Sequence, residues 1–474
     1  KGYGHFTTRQ NIQFNWPSLE KIPDILAELA EVEMHALQTS GNCIRNVTSD
    51  HFAGAAADEI VDPRPYAEIL RQWSSIHPEF SYLPRKFKIA ISGARQDRAA
   101  IRVHDIGLQV VKRDDGAVGF TVFVGGGLGR SPFVAWELRE FLPEKDLLSY
   151  VEAILRVYNL YGRRDNKYKA RIKILMHEAG LEKVRGEVET EFERIRHGAL
   201  ELPSADVARI ARHFAAPAFA DLPATSEAEG RALRADPAFA RFVAHNVTPH
   251  RVPGYASLTI SLKPVGGVPG DATADEMELV ADLAETHGFG EIRVSHRQNL
   301  ILPHVRRDAL PAIFERLKAA GLATANAGLV TDTITCPGLD FCALANARSI
   351  PVAKAISERF ADPARQEAIG PLDIKISGCI NACGHHHVGA IGILGVDRKG
   401  EEFYQITLGG SADDDARLGD SAGPGFWPNQ VADAVETVVD TYLARRASPA
   451  ETFLATYRRI GLAPFKEALA DVVR

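Results

Sequence analysis

Four of the chain's five cysteines fall within 48 residues, in two pairs. Cys336-Pro-Gly-Leu-Asp-Phe-Cys342 puts five residues between its thiols, Cys379-Ile-Asn-Ala-Cys383 puts three, and 36 residues separate the pairs. Four thiolates are the ligand set of a tetrahedral zinc or of an iron–sulfur cluster. Zinc knuckles usually have shorter or differently spaced pairs, whereas a 4Fe–4S cube spreads its iron corners further apart and suits longer ones. Gly338, Gly378 and Gly384 sit among these thiols and let backbone approach a bulky group closely. The spacing favours the cube. Zinc and four unrelated buried thiols are the other readings. Cys43 stands alone and reads as a small buried apolar residue.

Other residues invite chemistry less strongly. Lys86 and Lys88 are two apart on a strand pattern, so both ammonium groups face one side, and their mutual repulsion eases proton donation. An ordinary exposed strand face has the same pattern. Gly125-Gly126-Gly127-Leu128-Gly129 lacks the lysine and the spacing of nucleotide loops, and reads as a chain turn or a surface for a large cofactor. His385, His386 and His387, read as a strand, alternate in direction and do not chelate together. Residues 163–173, with Arg163, Arg164, Lys167, Lys169, Arg171 and Lys173, form a basic run in an acidic chain. They read either as a solvated helix face or as a landing site for an acidic partner.

These residues need elements to hold them. Ser18 to Thr39 and Pro63 to Trp73 have helical spacing, with a polar loop at Gly41–Val47 between them. Lys86–Gly93, Ile101–Arg113 and Val118–Val124 read as strands, the last two joined by an Asp114-Asp115-Gly116 turn. Two long helical patterns fill about Glu144 to Arg196. After an Ala-, Pro- and acid-rich stretch, a β-α-β-β-α order begins near His250, the ferredoxin-like pattern. The chain also repeats itself. Thr8-Arg9-Gln10-Asn11-Ile12 matches His296-Arg297-Gln298-Asn299-Leu300, residues 88–93 match 373–378, and 120–126 match 403–410, in the same order. The repeat predicts an α+β chain in which a ferredoxin-like half-domain plus a mixed α/β domain occurs twice. The segments are 1–52, 53–202, a partly helical linker 203–247, 248–330 and 331–474. The first copy lacks the opening strand and helix of the second, so the chain reads as starting inside a domain.

The motif around Cys336 and Cys342, with Ser377-Gly378-Cys379-Ile380-Asn381-Ala382-Cys383-Gly384, resembles the cluster motif of the siroheme-dependent sulfite and nitrite reductases. The resemblance extends to Thr8–Gln13, Arg45-Asn46-Val47, Leu83–Lys88 and Phe123–Gly127, and so covers nearly the whole chain. It implies a pseudo-twofold fold, a siroheme and a 4Fe–4S cluster, and cluster ligation by Cys336, Cys342, Cys379 and Cys383. Cys383 would bridge to the siroheme iron. It also implies that Arg45, Lys86 and Lys88 bind and protonate the substrate anion, and that Arg9, Gln13, Arg85 and Asn381 hold the macrocycle or its carboxylates. Two departures stand out. The family has a further substrate-facing arginine ahead of the Arg9 strand, and His5 occupies a position where some sulfite reductases carry arginine.

The resemblance implies six-electron reduction of sulfite to sulfide, since Lys-Phe-Lys at 86–88 is the sulfite-type sequence and nitrite reductases commonly have Asn at the second lysine. Residues 59–66 resemble the nitrite branch, so ferredoxin-nitrite reductase is the alternative. A non-catalytic Fe–S or zinc module is the alternative of another class. With no flavin or nicotinamide fingerprint, electrons would come from a separate protein: ferredoxin, flavodoxin or a flavoprotein reductase. The 474 residues carry 55 Lys and Arg against 61 Asp and Glu, a net charge of −6, which argues against a general nucleic-acid binder. No apolar run is long enough to span a membrane, and five cysteines exclude a disulfide-rich secreted scaffold, so a cytoplasmic location is expected.

Overall fold

The computed structural model describes residues 2–472; Lys1, Val473 and Arg474, at the outer ends of the first and last expected segments, lie outside the described residues. Contacts divide the chain into two compact units: Pro17–Phe219, and Lys1–Trp16 together with Ala220–Arg474.

The unit Pro17–Phe219 is built on a five-stranded sheet in the order Ile44–Ser49, Phe87–Ser92, Ile106–Lys112, Val118–Val124, Trp136–Pro143. The first two pairings are parallel and the last two antiparallel. The first parallel pair needs a crossover, supplied by the helix Arg64–Ser74. Phe87, Ile89, Ile91, Leu108 and Val122 point into a core closed by Tyr150 and Tyr158 of the helix Leu147–Tyr161 and by Val188 and Phe192 of the helix Leu181–Ile195. The expected strand Ile101–Arg113 is shorter. Asp97 accepts from the backbone N–H groups of Ala99 and Ile101, which winds Ile101–Val103 into a 3-10 turn. The expected loop Gly41–Val47 is in part a strand, and Arg45 lies on it.

The other unit contains a second five-stranded sheet: Ile334–Thr335, Ile374–Ser377, Ile391–Arg398, Glu401–Leu408, Asp420–Ser421. Its pairings are again parallel, parallel, antiparallel, antiparallel. The duplication read from sequence is therefore a duplication of sheet topology. This unit also holds the ferredoxin-like part: a sheet in the order Arg293–Val294, Leu300–Arg306, Tyr255–Ile260, Val247–Pro249, with the helices Ala274–His287 and Leu310–Ala319. The fold is α+β.

Two segment boundaries differ from the expectation. The strand Tyr3–Phe6 pairs antiparallel with Asp271–Thr273, so residues 2–16 belong with the second half rather than with 17–52. The expected linker 203–247 is divided at 219/220, and its end is not loose. Phe239 and Phe242 of the helix Pro237–Asn246 are fully buried against Phe314. Two aromatics one turn apart outweigh the Ala- and Pro-rich composition around them.

Candidate functional site

The Cys336 loop leaves the strand Ile334–Thr335, and the Cys379 loop leaves its parallel neighbour Ile374–Ser377. Adjacent strand ends thus deliver both cysteine pairs to one end of the sheet. The loops are stitched by backbone: Asn346 and Ala347 N–H groups donate to Gly378 O at 2.9 and 3.0 Å, and Cys342 N–H donates to Gly338 O at 2.9 Å. A Cβ at Gly378 would stand 2.8 Å from Gly338 Cα, and one at Gly384 would overlap Ile376 O. Only glycine permits this approach.

Gly378 N–H donates to Cys336 Sγ at 3.2 Å. Burial pushes the Cys336 and Cys379 thiols up, opposed by the Gly378 N–H at Cys336 and by the Asn381 N–H at Cys379. The four sulfurs also feel one another: Cys336 senses Cys383, and Cys379 senses Cys383 and Cys342. Among the described residues no three His, Cys, Asp or Glu side chains group as ligands of a single ion. Four thiols on two adjacent loops, with glycines that let the backbone approach closely, fit a bulky cluster.

The hairpin of Tyr3–Phe6 and Ile12–Gln13 carries Arg9 at its tip, where Gln10 takes a left-handed φ of 57°. Thr8 Oγ1 donates to Cys383 O at 2.8 Å, which ties this tip to the last cysteine. Arg9 is buried, and Gln13 is half-buried with its amide donating to Asn15 Oδ1 at 2.7 Å. Asn381 is exposed and caps Cys379 with its backbone and side chain. Arg9, Cys383 and the other three cysteines therefore all belong to the unit that contains the second five-stranded sheet.

Arg45, Arg85, Lys86 and Lys88 lie in the unit Pro17–Phe219. Ile44 pairs with Phe87 in the parallel ladder, and both are fully buried. Their neighbours Arg45, Lys86 and Lys88 therefore share the opposite face, half-buried. A register shift after Ile44 bulges the Arg45 strand. Arg45 donates from Nη1 to Thr39 O and from Nη2 to Gly41 O, at 2.5 and 2.9 Å, which fixes its guanidinium plane. Burial, with the charge of Arg85 adding, lowers the Arg45 pKa, and Cys43 opposes this as a partner. Cys43 thus sits beside Arg45, and its thiol donates to Ser40 O at 3.2 Å.

Sequence reasoning missed the residues behind this face. The fully buried Asp105 carboxylate accepts from Lys88 N–H at 2.8 Å and from Arg171 Nε and Nη2 at 3.0 and 2.7 Å. Arg171 and Lys173 are thus internal parts of the run read as a basic surface. The signal was present: Lys173 interrupts an apolar series, Ile172-Lys173-Ile174-Leu175-Met176, at the start of the helix Ile172–Ala179. The remaining run is not a helix face but a loop ahead of that helix. The histidine triplet is also not a strand. His385 takes a left-handed φ of 59°, His386–Val388 form a 3-10 turn, and the His386 and His387 rings lie 3.9 Å apart. The turn arises because Val388 and Gly389 N–H groups donate back to His385 and His386 carbonyls.

Residues 40–196 and 327–473 match the family described as the nitrite and sulphite reductase 4Fe-4S domain. Residues 1–32 and 253–320 match the nitrite/sulfite reductase ferredoxin-like half domain. Sulfite reductase (ferredoxin) 2 of Mycolicibacterium paratuberculosis is 31% identical over 425 residues, 87% of this chain and 69% of that protein. The assimilatory ferredoxin-dependent nitrite reductase of Haloferax mediterranei is 28% identical over 94% of this chain and 73% of its own length. The structure of the Mycobacterium tuberculosis NirA protein superposes with a TM-score of 0.77 at 25% identity, covering 98% of this chain and 79% of that one.

Proposed function

The chain belongs to the nitrite and sulphite reductase family, and from that premise we propose that it reduces sulfite to sulfide, taking six electrons from a separate donor protein. The observation that carries the reading is that adjacent parallel strands deliver all four cysteines, on two loops, to one end of a sheet within the matched 4Fe–4S domain. Cys336, Cys342, Cys379 and Cys383 would hold the cluster, with Cys383 shared with a siroheme. Arg9, Gln13, Arg85 and Asn381 would hold the macrocycle and its carboxylates. Held by these residues, the two groups would supply one-electron transfers and a redox-active iron for the substrate anion.

The chain's own residues supply charge and protons. Arg45, held flat by two carbonyls, presents a fixed guanidinium to an anion. Lys86 and Lys88 add two ammonium groups on the same strand face, where they stabilise negative charge and give protons to departing oxygens. Asp105 accepts from the Lys88 backbone N–H at 2.8 Å and so fixes the strand that carries the Lys88 side chain.

Sulfite carries more charge than nitrite near neutrality, which is why Lys88 favours sulfite. Nitrite reduction is the second reading, supported by the names of the Haloferax mediterranei relative and of the Arabidopsis thaliana ferredoxin–nitrite reductase, 29% identical over 88% of this chain. The ferredoxin in these names supports a ferredoxin donor over flavodoxin or a flavoprotein reductase. Among the described residues no helix is long and apolar enough to cross a membrane. The cytoplasm is the proposed location.

The test is the absorption spectrum of the purified protein, followed by steady-state rates on sulfite and nitrite under one reductant. A siroheme spectrum with a higher kcat/KM on sulfite is the expected result. A cluster spectrum alone would overturn the catalytic reading, and preference for nitrite would overturn the substrate.

A further inference from the structure

Lys173 is 5% exposed, and its ammonium meets three backbone carbonyls. It donates to Gly127 O at 3.3 Å, Leu128 O at 2.8 Å and Ser131 O at 2.5 Å. These carbonyls belong to one tight loop, closed where Gly127 and Phe133 exchange backbone hydrogen bonds of 2.9 Å. Gly127 and Gly129 have φ of +150° and +103°, which turns successive carbonyls inward. A Cβ at Gly127 would meet the Arg171 guanidinium at 2.7 Å, so the loop is seated against charged groups on both sides. Arg171 also donates to Leu128 O at 3.5 Å. The ammonium occupies the position a bound cation would take in a carbonyl cage. All three of its N–H groups are used, which requires the charged form: a neutral amine has two donors and would leave one carbonyl facing a lone pair.

We propose that Lys173 is a positioning residue whose charged ammonium is the internal cation of the Gly127–Phe133 loop, holding that loop beside Lys86 and releasing it when the proton is lost. The charged groups facing Lys173 are Arg171, Asp105 and Lys86. Burial first, then the Arg171 and Lys86 charges, bring the Lys173 ammonium down to about 7, with Asp105 opposing. The sign follows: below this value the cage is closed, and as pH rises through it the loop loosens. The loop carries Arg130, whose guanidinium lies 5.4 Å over the exposed Tyr168 ring, so release also frees a surface cation. The consequence for turnover rests on the anion-reductase reading; the loop's response to pH does not.

Hydrogen exchange of the backbone amides of residues 128–131 and of Phe133 in the holoenzyme, corrected for intrinsic rates, tests this below and above the Lys173 midpoint of about 7. Wild-type protection should fall about tenfold per pH unit above the midpoint, the slope of a one-proton equilibrium. Lys173→Arg, charged at every pH, should keep constant protection, and Lys173→Met should have little at any pH. Wild-type protection independent of pH, or a Lys173→Arg enzyme that shows the wild-type break, would overturn the proposal. Sulfite and nitrite turnover by the same samples separates the two readings. A protection break without turnover of either anion removes the reductase function and leaves the loop assignment standing.

Discussion

Arg297 donates from Nη1 to Asp373 Oδ1 at 3.0 Å and from Nε to Asp332 Oδ2 at 2.8 Å. The internal repeat aligns Arg297 with Arg9 and Asp373 with Lys88. One copy therefore has an arginine and a lysine where the other has an arginine tied to carboxylates. Lys263, fully buried, joins the second set through Asp332 Oδ1 at 2.5 Å. Burial would raise the Asp332 carboxyl, but the Lys263 ammonium and the Arg297 guanidinium outweigh it and hold it well below the usual carboxylate range.

Asp332→Asn should therefore destabilise the unit by about 3–5 kcal/mol, because it leaves Lys263 buried without its counter-charge. Scanning calorimetry checks this. A depressed carboxylate contributes stability that is present above its unfolded value of about 3.9 and is lost as pH falls toward the folded one. The wild type should thus lose stability below about pH 4 more steeply than the variant. Equal acid profiles would remove Asp332 from the account.

Single Cys→Ser changes at positions 336, 342, 379 and 383 should each lower iron and labile sulfide, while Cys43→Ser leaves both unchanged. Cys43 lies in the other unit, beside Arg45. Metal analysis with the visible spectrum reads the result. Full iron in Cys342→Ser and Cys379→Ser would contradict the four-thiolate assignment.

Lys88→Asn should cost sulfite about 10²–10³ in kcat/KM, the usual effect of removing one charge-stabilising donor, and cost nitrite less. The backbone hydrogen bond from Lys88 N–H to Asp105 is retained in this variant, so the strand should keep its place. Equal losses on both anions would mean that Lys88 does not discriminate between them.

Charge reversal at the exposed Arg164, Lys167 and Arg130 should raise KM for an acidic ferredoxin and flatten its salt dependence. Lys167 and Arg130 lie over the same exposed ring, Tyr168, at 5.3 and 5.4 Å. Turnover with a small-molecule reductant should be unaffected. Unaltered salt dependence with ferredoxin would place docking elsewhere.

The sequence carried the fold through its duplication. Matching segments in the same order became two sheets of the same strand order and direction, and the four cysteines came together because their motifs follow adjacent parallel strands. What it concealed were pairings distant in the chain. Nothing local to Lys173 says that its three donors go to carbonyls some 45 residues back. Nothing local to Arg171 names Asp105 as its partner. Both therefore read as surface charge, since composition counts cations without saying which are neutralised inside. The histidine triplet misled for the opposite reason: its strand-like neighbours hid a left-handed residue, and only the backbone hydrogen bonds reveal the turn.

The pairing of Tyr3–Phe6 with Asp271–Thr273 has a consequence for synthesis on the ribosome. His5 and Asp271, joined at 2.7 Å, are 266 residues apart. At about 5–20 residues per second, the strand Tyr3–Phe6 waits roughly 13 to 53 s for its partner to emerge. During that time every residue of Pro17–Phe219 becomes available, so the inserted unit can fold first while an early strand edge stays open to wrong partners. Chaperone occupancy of nascent chains should therefore persist at the strand Tyr3–Phe6 until the codons for residues 271–273 have been passed.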